Sequence, residues 1–314
     1  MNRKQKIMLF GFRRNGTTMA FKLFRNLNTY CCFYEPLHPK LFRHKRSAGI
    51  SDYEINAKDA YTEYARIYPD ILKSYKPLGA PVFPIKQEMD TKCFTNEHLD
   101  YLKYLYDSFD AVLLQPVRIH CHLYTFHKKL RDYNIKYIWI LRDPEGYVSS
   151  LMRRNKHLFK IDNTFIYLFF CKFSGTDLGG LWSQSEAYEY IFQKDRELYD
   201  AFRQEKLYVK LMLTWFYYFQ STVNFIKKLD NHEFAIVKYE DLCTNPALIM
   251  NKLTKWLDVD HKGCDEWAWI KKNSLFGIHH DHYLWKRSKD KIMKKLRISK
   301  EDLLQFNQTI IPDN

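Results

Sequence analysis

Glycine and proline are scarce in this chain, at 10 each in 314 residues. That scarcity excludes collagen-like and low-complexity character and leaves little material for a long flexible linker. Seven cysteines, an odd number without regular spacing, do not read as a disulfide framework. No apolar run is clean enough to span a bilayer. The longest, Leu207 to Ile226, is broken by Lys210, Gln220, Ser221 and Asn224, and is expected as a buried helix. The apolar stretch that follows Lys6 ends at Gly11, too short for a signal-peptide core. These absences predict a cytoplasmic protein with no transmembrane anchor, and leave contact with a membrane surface open.

What is present is an apolar fraction of 46%, ample for a buried core, and a formal net charge of +14. The length fits one large α/β domain or two smaller ones, and no linker divides it. Short β-branched and aromatic runs alternate with helical patterns, which predicts an α/β fold with a mostly parallel sheet flanked by helices. The expected strands are Lys6–Phe10, Cys32–Tyr34, Val82–Ile85, Ala111–Leu114, Tyr137–Leu141 and Phe234–Lys238. Residues from about 155 to 231 carry helical patterns and no strand, so they are expected as a helical insertion within a single domain, 1–314.

Three segments carry chemistry. In the first, Lys6–Phe10 leads through Gly11-Phe12-Arg13-Arg14-Asn15-Gly16 into the helix opening at Thr17-Thr18. Two glycines let backbone N–H groups approach an anion, and the free amides of the helix start favour negative charge. The spacing is that of a P-loop, but Thr17 stands where a nucleotide triphosphatase needs Lys, and the cations are Arg13 and Arg14 instead. An ordinary strand–turn–helix connection would show the same pattern. In the second, strand Tyr137–Leu141 runs into Arg142-Asp143-Pro144, with Asp143 suited to an N-cap and Pro144 to the first helical position. Ser150 falls on the second turn of that helix, where it and Arg142 can converge on one anion. The third is Tyr239-Glu240-Asp241-Leu242 after strand Phe234–Lys238, followed by a second helix start at Asn245-Pro246.

In this order the three segments resemble the sulfotransferase superfamily, enzymes that use 3′-phosphoadenosine 5′-phosphosulfate (PAPS). Arg14-Asn15-Gly16-Thr17-Thr18 is similar to its 5′-phosphosulfate loop, Arg142-Asp143-Pro144 with Ser150 to its 3′-phosphate element, and Tyr239-Glu240-Asp241-Leu242 with Asn245-Pro246 to its third motif. The resemblance implies a P-loop-like sulfotransferase fold with PAPS as co-substrate and no required metal. It implies donor contacts from Arg13, Arg14, Asn15, Gly16, Thr17, Thr18, Arg142, Ser150 and Tyr239. A basic covering loop is expected at Trp285-Lys286-Arg287. Three positions depart from the family pattern. Asn15 replaces a Ser, Met19 replaces an aromatic residue common in cytosolic members, and the covering loop lacks their glycines.

Sulfuryl transfer, like phosphoryl transfer, needs charge neutralisation and removal of the acceptor proton. Arg14 and the amides of the first helix suit the former. For the latter the segment Tyr34-Glu35-Pro36-Leu37 resembles an element of carbohydrate sulfotransferases whose glutamate is the base, which points to Glu35, with His38 as runner-up. The implied acceptor is a hydroxyl of a carbohydrate or glycolipid-like molecule. Lys86, Gln87, His120 and His122 are further candidates near it, although satisfied helix histidines are the simpler reading of the last two. His279-His280-Asp281-His282 lacks the ligand spacing of a zinc site, so no metal is assigned. The run Trp215–Phe219 is expected in the core.

Two other functions compete. A P-loop small-molecule kinase would share the sheet and loop, against which Thr17 counts. A nucleic-acid-binding protein would suit the charge, but no recognition signature accompanies it. The charge is also unevenly placed. Residues 1–50 hold eleven Lys and Arg against one acid, Glu35, and residues 286–300 hold eight against Asp290. The remainder is nearly neutral, so a small anionic nucleotide accounts for part of the excess without a nucleic-acid partner.

Overall fold

A computed structural model describes residues 5–12, 14–37, 63–64, 95–116, 119–152, 179–259 and 282–313. In chain order the elements are β1 (Lys6–Gly11), α1 (Thr17–Asn26), β2 (Cys31–Tyr34), α2 (Asn96–Asp107), β3 (Val112–Gln115), α3 (Leu123–Lys129), β4 (Lys136–Leu141) and α4 (Pro144–Met152). They continue with α5 (Gly179–Lys194), α6 (Arg196–Phe202), α7 (Leu207–Ile226), β5 (Phe234–Lys238), α8 (Tyr239–Thr244), α9 (Pro246–Trp256), α10 (His282–Leu296) and α11 (Lys300–Phe306). The strands form one sheet in the order β2-β3-β1-β4-β5, and every pairing is parallel. Five expected strands are therefore present, with ends moved by one residue at most. The sixth, Val82–Ile85, lies outside the described residues.

The strands are buried on both faces, as parallel strands covered by crossover helices must be. Alternation along each strand separates two cores. Met8, Phe10, Tyr137, Trp139, Phe234 and Ile236 face a large core built with α2, α3 and α5–α7. Ile7, Leu9, Ile138, Ile140, Ala235 and Val237 face a smaller one built with α1, α8 and α9. The helix α7 occupies Leu207–Ile226, as expected for the longest apolar run, and is buried along most of its length. Among the described residues no helix is long and apolar enough to cross a membrane. Trp215, Phe216 and Phe219 lie in the large core, as anticipated.

The described part of the proposed insertion contains helices α5 to α7, joined by short turns, and no strand. Local signals start several helices. Thr95 and His98 form a capping box at α2, Asp195 caps α6 through Leu198 N at 3.0 Å, and Pro246 opens α9. The exposed edge of β5 is covered by the segment after α11, where Ile310 makes an antiparallel bridge with Ile236.

Candidate functional site at the carboxyl edge of the sheet

Because all five strands run the same way, the segments that follow them emerge along one edge. These are Phe12–Gly16 after β1, Glu35 after β2, the turn at His120 after β3, Arg142-Asp143 after β4 and Tyr239–Asp241 after β5. In an open α/β sheet ligands bind outside this edge, where the strand order reverses. Here β1 is the reversal point, with β3 on one side and β4 on the other.

The loop after β1 closes tightly. Asn15 N donates to Phe12 O at 3.1 Å, and Gly16 occupies the left-handed region at φ 86°, at the N-cap of α1. The first intrahelical bond runs from Ala20 N to Gly16 O, so the N–H groups of Thr17, Thr18 and Met19 precede the helical ladder. No side chain caps this helix. A cradle of amides with positive partial charge results. Asn15, expected to contact the donor, instead buries its side chain completely, and Nδ2 donates to Ile140 O at 3.2 Å. Its role in the structure is to pin the loop to β4. Arg13 lies outside the described residues. Thr18 Oγ1 and the Tyr34 hydroxyl are 2.8 Å apart, joining α1 to the end of β2.

Arg142 follows β4 and is only 7% exposed. Its Nη1 donates to Arg14 O at 3.2 Å, its guanidinium carbon sits 4.6 Å from the centre of the Tyr239 ring, and its Nε has no hydrogen-bond partner. The same Tyr239 ring covers Gly16 so closely that a Cβ there would overlap it. Thus the glycine, the arginine and the tyrosine of three separate motifs form one stack. A Cβ on Gly146, in the first turn of α4, would lie 2.9 Å from Arg142 Nε. Ser150 is four residues further on and lies on the same face of α4 as Gly146. Trp215 of α7 fixes the backbone, donating Nε1–H to Arg142 O at 3.0 Å.

Glu240 is the nearest carboxyl group by sequence motif, and its Oε1 accepts from Asp143 N at 3.4 Å. Burial raises its pKa, Asp143 adds to this, and Arg142 opposes it. It makes no ion pair with Arg142, and its Oε2 has no partner. Among the described residues, Arg142 is therefore a buried cation without a carboxylate at ion-pair distance. Such a group is expensive to keep unless an anion arrives.

Glu35 lies at the end of β2, two strands from β1 and so about 10 Å across the edge. Its φ is 43°, a conformation that costs a non-glycine residue energy, and its N–H is held by Gln115 O at 3.0 Å. His38, Lys86 and Gln87 lie outside the described residues. His120 and His122 stand in the turn ahead of α3, not inside a helix. His120 contacts the Phe12 ring at 4.5 Å and the rings of Phe10 and Tyr218, and its Nε2 has no partner. Burial drives its pKa down to about 3, with a smaller opposing effect from the Gly11 backbone. The expectation of a satisfied helix histidine is corrected here: it is a neutral, half-satisfied ring in a turn.

Trp285-Lys286-Arg287 belong to α10, a helix, rather than to a loop. Helix α7 descends from Trp215, beside Arg142, to Phe225, beside Tyr137 at the start of β4. Along it, α10 places Lys291 near Ala201 and Glu205 and Leu296 near Gln220. Lys286 and Arg287 stand near the N-terminal end of α10. Both are exposed. Among the described residues no cluster of three His, Cys, Asp or Glu suited to a metal is found. His279, His280 and Asp281 lie outside them.

With this geometry in place, comparison with known proteins is informative. The sulfotransferase domain family matches residues 4–308. The chain belongs to the sulfotransferase family. An uncharacterised protein of Archaeoglobus fulgidus is 23% identical over 280 residues, 81% of this chain and 84% of that protein. Among solved structures, the chain is similar to the sulfotransferase domain from the curacin biosynthetic pathway, with 12% identity and a TM-score of 0.43 over 95% of this chain and 99% of that one. A sulfotransferase domain from the Synechococcus PCC 7002 olefin synthase gives 13% identity and a TM-score of 0.43, covering 95% and 96%. Family membership sets aside the kinase and nucleic-acid readings. Members of this family generally draw on PAPS as sulfuryl donor.

Proposed function

We propose that this sulfotransferase moves a sulfuryl group from PAPS to a hydroxyl of a carbohydrate or glycolipid-like acceptor. The observation that carries the reading is the buried Arg142, which forms no ion pair among the described residues and stacks on the tyrosine that covers the glycine of the first loop. A nucleotide with phosphates at both ends of its ribose matches two adjacent anion seats. Arg142 and Ser150 would hold the 3′-phosphate. Arg14, Gly16, Thr17 and Thr18 would hold the 5′ end, with Lys286 and Arg287 of α10, and with Arg13 and Trp285 as the further donor contacts that the family resemblance implies. Tyr239 serves mainly to lock the two seats together. When bound, the donor supplies an activated sulfuryl group on a bridging oxygen.

The remaining work falls to the chain. The amides opening α1 and the Arg14 guanidinium oppose charge developing around the transferred group, without a metal being given a role. Glu35 is the proposed base. It leaves the sheet edge at the strand next to β3 and takes the acceptor proton. His120 fits that task poorly, because a group with a pKa near 3 is a weak base at neutral pH. His38 remains the runner-up base. We take residues 1–314 as one domain with a helical insertion at about 155–231, and a reducing, cytoplasmic setting from the cysteine pattern.

Calorimetric titration with adenosine 3′,5′-bisphosphate tests the donor reading. Wild type should bind, Arg142→Ala should bind at least about tenfold more weakly, and Glu35→Gln should bind normally. Labelled PAPS incubated with a panel of carbohydrate and glycolipid acceptors should then reveal a product that Glu35→Gln makes about 10²- to 10⁴-fold more slowly. Tight binding of ATP with magnesium and none of the bisphosphate would remove the donor assignment. Normal turnover by Glu35→Gln would remove the base.

A further inference from the structure

The segment after α11 touches both loops that build the Arg142 stack, although no motif lies in it. Asn307 Nδ2 donates to Asp143 Oδ1 at 3.2 Å, on the residue next to Arg142. The same carboxylate oxygen is 3.2 Å from Lys238 Nζ. Two residues later, Thr309 Oγ1 donates to Asp241 Oδ2 at 2.6 Å and accepts from Lys238 N at 3.0 Å. Lys238 and Asp241 flank Tyr239 and Glu240. Ile310 then locks the segment to β5, with Ile310 N to Ile236 O at 2.8 Å and Ile236 N to Ile310 O at 2.7 Å.

We infer that Asn307 and Thr309 are positioning residues for the donor seat, setting Arg142 and Tyr239 through Asp143, Lys238 and Asp241. The physical need is clear from the site. Arg142 is buried and forms no ion pair among the described residues, so its direction depends on how its backbone is held. Trp215 fixes the carbonyl of Arg142 from one side. On the other side the restraint runs through Asp143, whose carboxylate joins β4, β5 and the segment after α11 in one hydrogen-bonded node. Thr309 bridges the end of β5 to the first turn of α8, so that Tyr239 leaves the strand at a set angle and meets both Gly16 and Arg142. A hydroxyl that donates to a carboxylate and accepts from a backbone amide in the same place fixes direction as well as distance. The inference rests on the reading of Arg142 as the seat of the 3′-phosphate.

The test uses the full chain with Asn307→Ala, Thr309→Val and Thr309→Ser, and with Ser299→Ala as control. Ser299 caps α11 through Asp302 N at 2.8 Å and touches neither loop, so it loosens the same region without altering the node. Each variant is titrated with adenosine 3′,5′-bisphosphate and with adenosine 5′-phosphate, and its melting temperature is recorded. Asn307→Ala and Thr309→Val should lose about tenfold in affinity for the bisphosphate, with a much smaller loss for the monophosphate. Thr309→Ser should restore the preference, and Ser299→Ala should keep it at a similar melting temperature. Equal losses for both nucleotides, or a parallel loss in Ser299→Ala, would show a purely structural segment and overturn the inference. Unchanged binding in Asn307→Ala and Thr309→Val would overturn it while leaving the donor reading intact. Failure of wild type to prefer the bisphosphate would overturn both.

Discussion

Desolvating a guanidinium costs several kcal/mol, and Arg142 is held by a carbonyl of the first loop, an aromatic face and the backbone at Gly146, with no ion pair among the described residues. Glu240 belongs to the same neighbourhood; burial raises its pKa and the charge of Arg142 opposes the rise, without an ion pair between them. His120 is the opposite case, a group held neutral where its charged form is excluded. Its folded pKa of about 3 lies below its ordinary value of 6.5. Above 6.5 both folded and unfolded forms are neutral, and below it only the unfolded chain gains the proton. Stability is therefore lost as pH falls from 6.5 toward 3, by about 2 kcal/mol at pH 5 from this residue. The raised pKa of Glu240 acts with the reverse sign on acidification, so the comparison needs a variant. Urea unfolding at pH 7.5 and pH 5 should show a shallower acid loss for His120→Phe than for wild type. Parallel pH profiles would rule out a neutral buried imidazole.

At the scale of elements, α7 couples the core to the site. Its Trp215 stacks on Phe219, contacts Phe12 of the first loop and donates to the Arg142 carbonyl. Replacing it by Phe keeps most of the buried surface but deletes one hydrogen bond, a loss of about 1 kcal/mol in stability. Trp215→Phe is thus expected to unfold at slightly lower urea concentration and to bind adenosine 3′,5′-bisphosphate several-fold more weakly. If the stability drops while the nucleotide affinity holds, the Trp215 hydrogen bond has no part in placing Arg142. The helix also shows how local pattern reads correctly. A 20-residue apolar run with scattered polar residues buries nearly all round when it packs between other helices and the sheet.

At the scale of the molecule, the charge of +14 is concentrated before residue 50 and between residues 286 and 300. Helix α10 exposes Lys286, Arg287, Lys294 and Lys295 and buries Ile292 and Met293, and Arg297 just after it is exposed as well. Among the described residues no carboxylate forms an ion pair with these cations. A field of one sign beside an anion seat speeds and strengthens capture of a charged nucleotide, and salt screens it. Bisphosphate affinity should therefore fall several-fold between about 50 and about 300 mM sodium chloride. The fall should be smaller in Lys286→Gln/Arg287→Gln. A salt-independent affinity would assign the excess charge to some other partner, such as an acidic acceptor.

Much of the fold was legible from residue order, because strand and helix periodicities are local and five strand positions came within one residue of those observed. The three motifs were legible for the same reason: the strand–loop–helix transitions that put amides and arginines on one edge are encoded within a few residues of each. Their convergence was not. That Tyr239 covers Gly16, that Arg142 reaches the carbonyl of Arg14, and that Asn15 turns inward to β4 depend on pairings between residues more than 100 positions apart. Trp285-Lys286-Arg287, expected as a loop, open a helix whose apolar positions Ile292, Met293 and Leu296 bury one face. Asn307 and Thr309 carried no signal at all, since a polar side chain in an irregular segment gains its meaning only from what the chain folds against. Residue order is enough to specify which chemistry lies at the end of each strand. Strand order and packing, through the long-range contacts that no local pattern contains, set which of those ends meet.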